Sequence, residues 1–404
     1  MPSTFFTRLI FAALYFCFSG LYAIAAETAP NADFDQSVEQ NQKHWGVPGL
    51  FISIVKDDEV IMAKGYGVRK AGNPELVDEE TLFSIGSTSK AFAAAAVAVL
   101  VHDGAVSWDD PVREHLPWFE TYNPYVQEQF TIRDMLSGTL GVNYADENKL
   151  RSSVQDSRDI LDRGKTIAPR APFRSGFVYS NNMFIASGLL VEKVSGKTWS
   201  DFAKERLWEP LGMKSTNANS KDAWATGNAA SGHIGGSGSP PISRPFKYCD
   251  EICVPSGGVN SNAVDIAQWL RFQLGSGSFE KLQILGLDVF NEMHRPQSIM
   301  RPVDGALGVY TPFPTQDLER WGVSSPAYGF GWGLFHYRGR RILWHSGGAN
   351  NMTSIAILAP EESLGVFVSA NRLRTRLPQI LALEVLDEYL GGRVEDWSEH
   401  FKKE

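Results

Sequence analysis

Ser87-Thr88-Ser89-Lys90 places a hydroxyl and an amine three residues apart at the head of a long Ala-rich stretch. On an α-helix, positions i and i+3 share a face, so the two groups can meet at the helix N-terminus. A serine hydroxyl is a poor nucleophile until its proton is removed, and a lysine desolvated by apolar neighbours has a lowered pKa that helps it assist. The helix N-terminus adds free N–H groups and positive potential where an oxyanion would form. The chemistry this permits is acyl transfer through a covalent serine intermediate. The SxxK spacing occurs three times in the chain. The copy at Ser53 and Lys56 falls in a strand pattern, where i and i+3 point to opposite faces. The copy at Ser278 and Lys281 follows Gly275-Ser276-Gly277, with no long apolar helix behind it to desolvate the lysine. Ser87 is therefore the candidate nucleophile and Lys90 its proton-handling neighbour.

Two further groups could complete such a site. Tyr179-Ser180-Asn181 is the single YxN of the chain and precedes an apolar helical stretch. A tyrosine near an ammonium can hold a phenolate at reduced cost and act as general base, while the amide of Asn181 can hold a substrate carbonyl or orient the lysine. Taken alone, the tripeptide reads by default as a tyrosine packed at a loop-to-helix junction with Asn181 capping the helix. His345-Ser346-Gly347-Gly348 ends a strand. HxG also occurs at His44, His102 and His233, but only the copy at His345 lies on a predicted edge strand that could flank a cleft. There Gly347 and Gly348 would let a substrate approach the backbone closely. Other chemistries lack their motifs. The eight histidines form no HExxH pair and the cysteines no paired CxxC clusters, so no metal is expected. GxGxxG, GxxxxGK[ST] and GxSxG are absent too, and no cofactor is implied.

The elements that must position these groups follow from patterning. Within residues 49–68, two apolar β-branched segments flank the polar turn Lys56-Asp57-Asp58-Glu59, so two antiparallel strands open the fold. Residues 84–104 are too apolar for a surface helix and stop at Gly104; they read as a buried helix. Residues 106–324 mix helical stretches, such as 182–194 and 263–274, with loops. The Gly- and Ser-loaded segment 226–241 suits an interdomain linker or a mobile loop near a cleft. Strand signals return from Tyr328, and 377–390 is a final helix. The expectation is an α/β (α+β) fold: one antiparallel sheet built from both termini and flanked by helices, with an inserted, mostly helical lobe. The sheet part covers about 45–105 and 325–395 and the lobe about 106–324, together one catalytic domain over 27–404.

Composition bounds the function. The 404 residues carry 38 Lys+Arg against 46 Asp+Glu, a net charge of −8, which argues against nucleic acid as a partner. With 43% hydrophobic and 21% charged residues the chain can build a sizeable core. Residues 9–26, LIFAALYFCFSGLYAIAA, follow Arg8 and close on small residues; they read as a secretory signal peptide over 1–26. A retained membrane anchor is the competing reading, but the run is short and lacks a basic stop-transfer flank. The protein is expected in the periplasm or secreted, with no stable membrane span after cleavage. Cys249 and Cys253 could then pair in an oxidising compartment.

Taken in order, SxxK on a helix, YxN on a loop of the helical lobe and a strand-end HxG resemble the active-site elements of the serine β-lactamase and penicillin-binding-protein superfamily. The similarity is closest to the class C β-lactamase-related serine hydrolases, which include esterases, D-aminopeptidase-like enzymes and transacylases. It covers about residues 47–391 and extends to VPGLFISIVKDDEV, GYGV, TLFSIGSTSK, Leu136-Ser137-Gly138, EPLGM and PSGGVNSNAVDIAQWL. The resemblance implies Ser87 as the acylated nucleophile, Lys90 beside it, Tyr179 as general base and Asn181 as a ligand of the substrate carbonyl or amide. It implies an oxyanion hole from the backbone N–H groups of Ser87 and Gly348, with His345, Gly347 and Gly348 lining the substrate. Two departures matter. His345 stands where β-lactamases and transpeptidases usually carry lysine, which removes a fixed cation for a substrate carboxylate at neutral pH unless the imidazole is protonated. Gly138 and Leu140 stand where relatives commonly show His-Thr-Ser-Gly. The first reading is an exported serine hydrolase acting on esters or small amides and peptides. Its alternatives are a class C-like β-lactamase or DD-peptidase, and a catalytically inactive acyl sensor.

Overall fold

A computed structural model describes residues 32–150, 154–235, 240–244, 252–300, 312–314, 318–391 and 393–402. The expected signal peptide and Cys249 lie outside these residues; Cys253 is disulfide-bonded. The frame is an eight-stranded antiparallel sheet. Its strands are β1 (Gly49–Lys56), β2 (Glu59–Gly67), β3 (Ser298–Ile299), β4 (Ser324–Tyr328), β5 (Gly333–Tyr337), β6 (Arg340–Ala349), β7 (Met352–Ala359) and β8 (Leu364–Ala370), in the order β2-β1-β8-β7-β6-β5-β4-β3. β1 pairs β8 from Leu50↔Ala370 to Lys56↔Leu364, so the two ends of the chain build one sheet as expected.

Burial follows the strand sequences. Every residue of β7 and β8 is buried, and so is all of β1 except Lys56. Runs of Ile, Val, Leu and Phe with no polar alternation mark strands covered on both faces. The helices α7 (Ala263–Leu274) and α8 (Leu377–Leu390) both pack on β8, and α7 also covers β1 and β2. The remaining helices that matter for the site are α1 (Ala32–His44), α2 (Ser89–His102), α3 (Ile132–Ser137), α4 (Tyr144–Lys149), α5 (Asn182–Ser195) and α6 (Val254–Gly257). Residues 89–100 of α2 are all buried. Its alanines let α5 and α6 approach closely, and Phe92 stacks on Trp269 of α7 at 3.9 Å between centroids. Segment 226–241 is no linker where it is described. His233–Ile234 pairs with Ile242–Ser243, and the His233 N–H donates to Asn351 O at 3.2 Å, tying the segment to the β6–β7 turn. No helix among the described residues is long and apolar enough to cross a membrane.

Glu384 of α8 faces α1, accepting from Ser37 Oγ at 3.3 Å and Asn41 Nδ2 at 3.5 Å. Burial pushes its carboxyl up to about 7, with Asp396 and Asp387 adding repulsion. A carboxyl whose folded pKa lies above its usual value stabilises the fold fully below about pH 4.5 and loses that contribution as pH rises through 7. At pH 8 the ionised form costs about 3 kcal/mol at most. Glu384→Gln should therefore raise the thermal midpoint at pH 8 and change it little at pH 5; equal midpoints at pH 8 would refute a buried, reluctant carboxylate.

Candidate active site

Ser87 sits in a 3-10 turn, Gly86–Thr88, that leads into α2. It therefore lies just ahead of the α-helix rather than within it, but a 3-10 turn also brings i and i+3 together. Gly86 has φ +56°, in the region glycine favours, and a Cβ on it would lie 2.5 Å from Gly348 N. Turn and strand β6 thus touch through backbone alone. The neighbouring hydroxyls bond locally, Thr88 Oγ1 to Ile85 O at 2.8 Å and Ser89 Oγ to Gly86 O at 2.6 Å. Between residues 81 and 100, Ser87 alone is partly exposed.

Lys90 is buried and collects three segments of chain. Its Nζ donates to Ser87 Oγ at 3.1 Å, to Asn181 Oδ1 at 2.7 Å and to the Ser256 carbonyl of α6 at 2.6 Å. An ammonium has three N–H donors, and these oxygens match that number. The ring centroids of Tyr179 and Phe184 lie 4.8 Å and 5.4 Å from Nζ, within cation–π range. The structure thus brings Ser87, Lys90, Tyr179 and Asn181 together, as the sequence spacing predicts for the first pair and the resemblance implies for all four.

The turn carrying Tyr179 and Asn181 is held by a residue the sequence did not single out. Glu147 of α4 is fully buried, and its carboxylate accepts from Ser180 Oγ, from the Asn181 N–H at 2.8 Å and from the Asn182 N–H at 3.2 Å. The start of α5 is capped by that distant carboxylate. Asn181 occupies the N-cap position without using its side chain there, and its Oδ1 is directed to Lys90 instead. Tyr144, at the head of α4, adds an N–H to the Tyr179 carbonyl at 2.8 Å and an edge-on ring at 5.7 Å.

The HxG segment lies on β6, which is an interior strand between β5 and β7 and not the edge strand the sequence suggested. It behaves as an edge only locally. The β5–β6 turn, Arg338-Gly339, and the β6–β7 turn, Asn350-Asn351, each have two residues at positive φ, the two-residue type I′ geometry. Such turns are flanked by hydrogen-bonded pairs, here Tyr337↔Arg340 and Ala349↔Met352. By alternation, the backbone groups of residues 340, 342, 344, 346 and 348 face β5. β5 begins at Gly333, opposite Trp344. The backbone groups of Ser346 and Gly348 therefore face past the end of β5, on the side where the Gly86–Thr88 turn approaches.

Gly347 and Gly348 differ in room. A Cβ at Gly347 would meet Ile85 O at 2.1 Å and Ser354 Oγ at 2.3 Å, whereas one at Gly348 finds nothing nearer than 3.9 Å. Gly347→Ala should destabilise the fold by about 2 kcal/mol through overpacking and cut turnover with it, while Gly348→Ala should keep the wild-type thermal midpoint. Equal midpoints for the two variants would contradict the close approach.

His345 is buried. Its Nε2 lies 3.1 Å from Tyr328 Oη and its Nδ1 2.7 Å from Ser346 O. Burial pushes the imidazole down to about 3, helped by the nearby Lys90 charge and opposed by the Ser346 carbonyl. The ring is neutral at physiological pH and supplies no cation. Tyr328 is likewise held far above the usual phenol range by burial. Among the described residues no group of three or more His, Cys, Asp or Glu side chains could hold a metal ion.

Relatives place this geometry. The chain is 30% identical to "Unguisins hydrolase ungD'" of Aspergillus campestris over 84% of its own length and 61% of that protein's. It is 24% identical to "Protein flp" of Staphylococcus aureus over 86% of its length and 64% of the relative's. The chain thus spans somewhat under two thirds of these curated relatives. Among solved structures, the octameric penicillin-binding protein homologue from Pyrococcus abyssi superposes with a TM-score of 0.75 at 24% identity, over 90% of this chain and 78% of that one. EstCE1, described as a hydrolase with promiscuous acyltransferase activity, gives 0.71 at 20% identity over 87% and 97%. A class C beta lactamase from Rhodobacter sphaeroides gives 0.67 at 21% over 88% and 100%. The Beta-lactamase family model matches residues 34–389, most of the chain, and the protein belongs to that family of serine hydrolases.

Proposed function

We propose that the protein is an exported hydrolase of carboxylic esters and small amides that works through an acyl-enzyme on Ser87. The carrying observation is that one buried ammonium, Lys90 Nζ, bonds Ser87 Oγ and Asn181 Oδ1 together beneath the ring of Tyr179. Ser87 Oγ attacks the carbonyl carbon while its proton passes to Tyr179 as general base, whose phenolate the Lys90 ammonium beside it favours. The oxyanion is received by the N–H groups of Ser87 and Gly348. Collapse expels the alcohol or amine, which takes the proton, and water repeats the sequence on the acyl-enzyme. Asn181 holds Lys90 in place and borders the substrate. The neutral, buried His345 supports neutral acyl groups over substrates with a carboxylate beside the scissile bond, which ranks β-lactams and cell-wall peptides second. Export is supported by the apolar run at residues 9–26.

A fluorophosphonate probe followed by peptide mass spectrometry tests the nucleophile, and a panel of a p-nitrophenyl ester, a D-alanyl amide and a chromogenic cephalosporin tests the substrate class. The expected result is an adduct on Ser87 with turnover of the ester. Turnover of the cephalosporin alone would overturn the ranking, and well-folded protein with no adduct would make the chain an acyl sensor.

A further inference from the structure

Tyr328 ends β4, buried, with its ring stacked on Phe177 at 4.3 Å between centroids. Phe177 in turn meets the Tyr179 ring edge-on at 6.2 Å. The Tyr328 hydroxyl therefore stands at the back of the site rather than in it, and the reaction outlined above makes no use of it. Among the described residues its hydroxyl bonds His345 Nε2, at 3.1 Å.

The contact of the other ring nitrogen sets the tautomer of the imidazole. A backbone carbonyl only accepts, so the 2.7 Å approach of His345 Nδ1 to Ser346 O requires the hydrogen on Nδ1. In a neutral ring Nε2 is then an acceptor, and the Tyr328 O–H fills it. The ionisable and hydroxyl groups grouped around this ring are Lys90, Tyr179 and Tyr328. Burial, with the Lys90 charge beside it, keeps the ring neutral. The donors run one way: Tyr328 O–H to His345 Nε2, then His345 Nδ1–H to the Ser346 carbonyl.

The end of that relay is the stretch of β6 that has lost its neighbour. The Ser346 carbonyl faces the side on which β5 has already stopped, opposite Trp344. A strand edge without a partner is free to twist or fray, and here it carries Gly348, two residues on, against the Gly86–Thr88 turn. His345 gives Ser346 the hydrogen bond that a continuing β5 would have given.

We propose that Tyr328 is a positioning residue for acyl transfer: it locks His345 in the Nδ1–H form, so that the imidazole replaces the missing strand and fixes the Gly348 N–H at the oxyanion hole. The proposal rests on the acyl-enzyme reading above. The experiment uses the full chain with 15N-labelled histidine, wild type and Tyr328→Phe, with the His345 ring signals assigned by their loss in His345→Gln. Wild type should show the neutral Nδ1–H tautomer from pH 5 to pH 8. Tyr328→Phe should show mixed tautomers, with kcat on the p-nitrophenyl ester about tenfold lower and KM unchanged. A wild-type ring that is Nε2–H or titrates in that range overturns the proposal whatever the variant does, and so does a Tyr328→Phe protein with wild-type tautomer and kcat. Because the ring signals are read without substrate, they are independent of the Ser87 adduct, whose absence would instead overturn the acyl-enzyme reading.

Discussion

Ser87→Ala is expected to lower kcat/KM on the ester by about 10⁴-fold or more and to abolish the fluorophosphonate adduct, with the thermal midpoint nearly unchanged. The size follows from covalent catalysis, in which no other group supplies the attacking oxygen. The unchanged midpoint follows from exposure. Ser87 is partly open to solvent, and removing its hydroxyl costs Lys90 one acceptor while Asn181 Oδ1 and Ser256 O remain. Lys90→Ala should lose a comparable amount of activity, and the double variant little more, because groups that act as a unit are not additive. Ester turnover by Ser87→Ala within tenfold of wild type would sink the assignment of the nucleophile.

The largest loss of stability is expected at Glu147. Glu147→Ala leaves the Ser180 hydroxyl and the N–H groups of Asn181 and Asn182 without their buried acceptor. An unmet buried donor costs about 1–3 kcal/mol, so urea denaturation should show a loss of about 4 kcal/mol. Activity should fall by about 10²-fold even where the protein stays folded, because the same turn aims Asn181 at Lys90 and carries Tyr179. Glu147→Gln keeps one acceptor oxygen and should fall between wild type and alanine. A loss below about 1 kcal/mol in Glu147→Ala would show that the turn is held by other means.

What could be read from the sequence was what short-range spacing encodes. Ser87 and Lys90 are three residues apart in a stretch too apolar to lie anywhere but inside, and both facts survive in three dimensions. α7 begins and ends where the pattern placed it, since Asn262 supplies a side-chain cap, accepting from the Asp265 N–H at 2.9 Å. β6 is interior where its pattern suggests an edge, because its exposure at Gly348 comes from where β5 begins, a matter of register between strands that no local pattern records. Glu147 was invisible for a different reason. It lies in Asp-Glu-Asn-Lys, which reads as a solvated helix, and only the packing of α4 against the start of α5 drives its carboxylate inside. Ser256 acts through a carbonyl, and every residue type has one, so the sequence carries no mark of it. Tyr328 and His345 are likewise joined across the sheet, 17 residues apart, by a bond that neither residue type announces.

The pairing of β1 with β8 reaches forward in time as well as across the molecule. Leu50 leaves the ribosome some three hundred residues before Ala370, its partner. Until then an apolar strand stands without its neighbour, and the turn bearing Ser87 has no β6 to rest on. No N-terminal fragment that stops short of β6 can assemble the site on its own, and synthesis carries a long interval in which sticky, unfinished sheet must be kept from self-association.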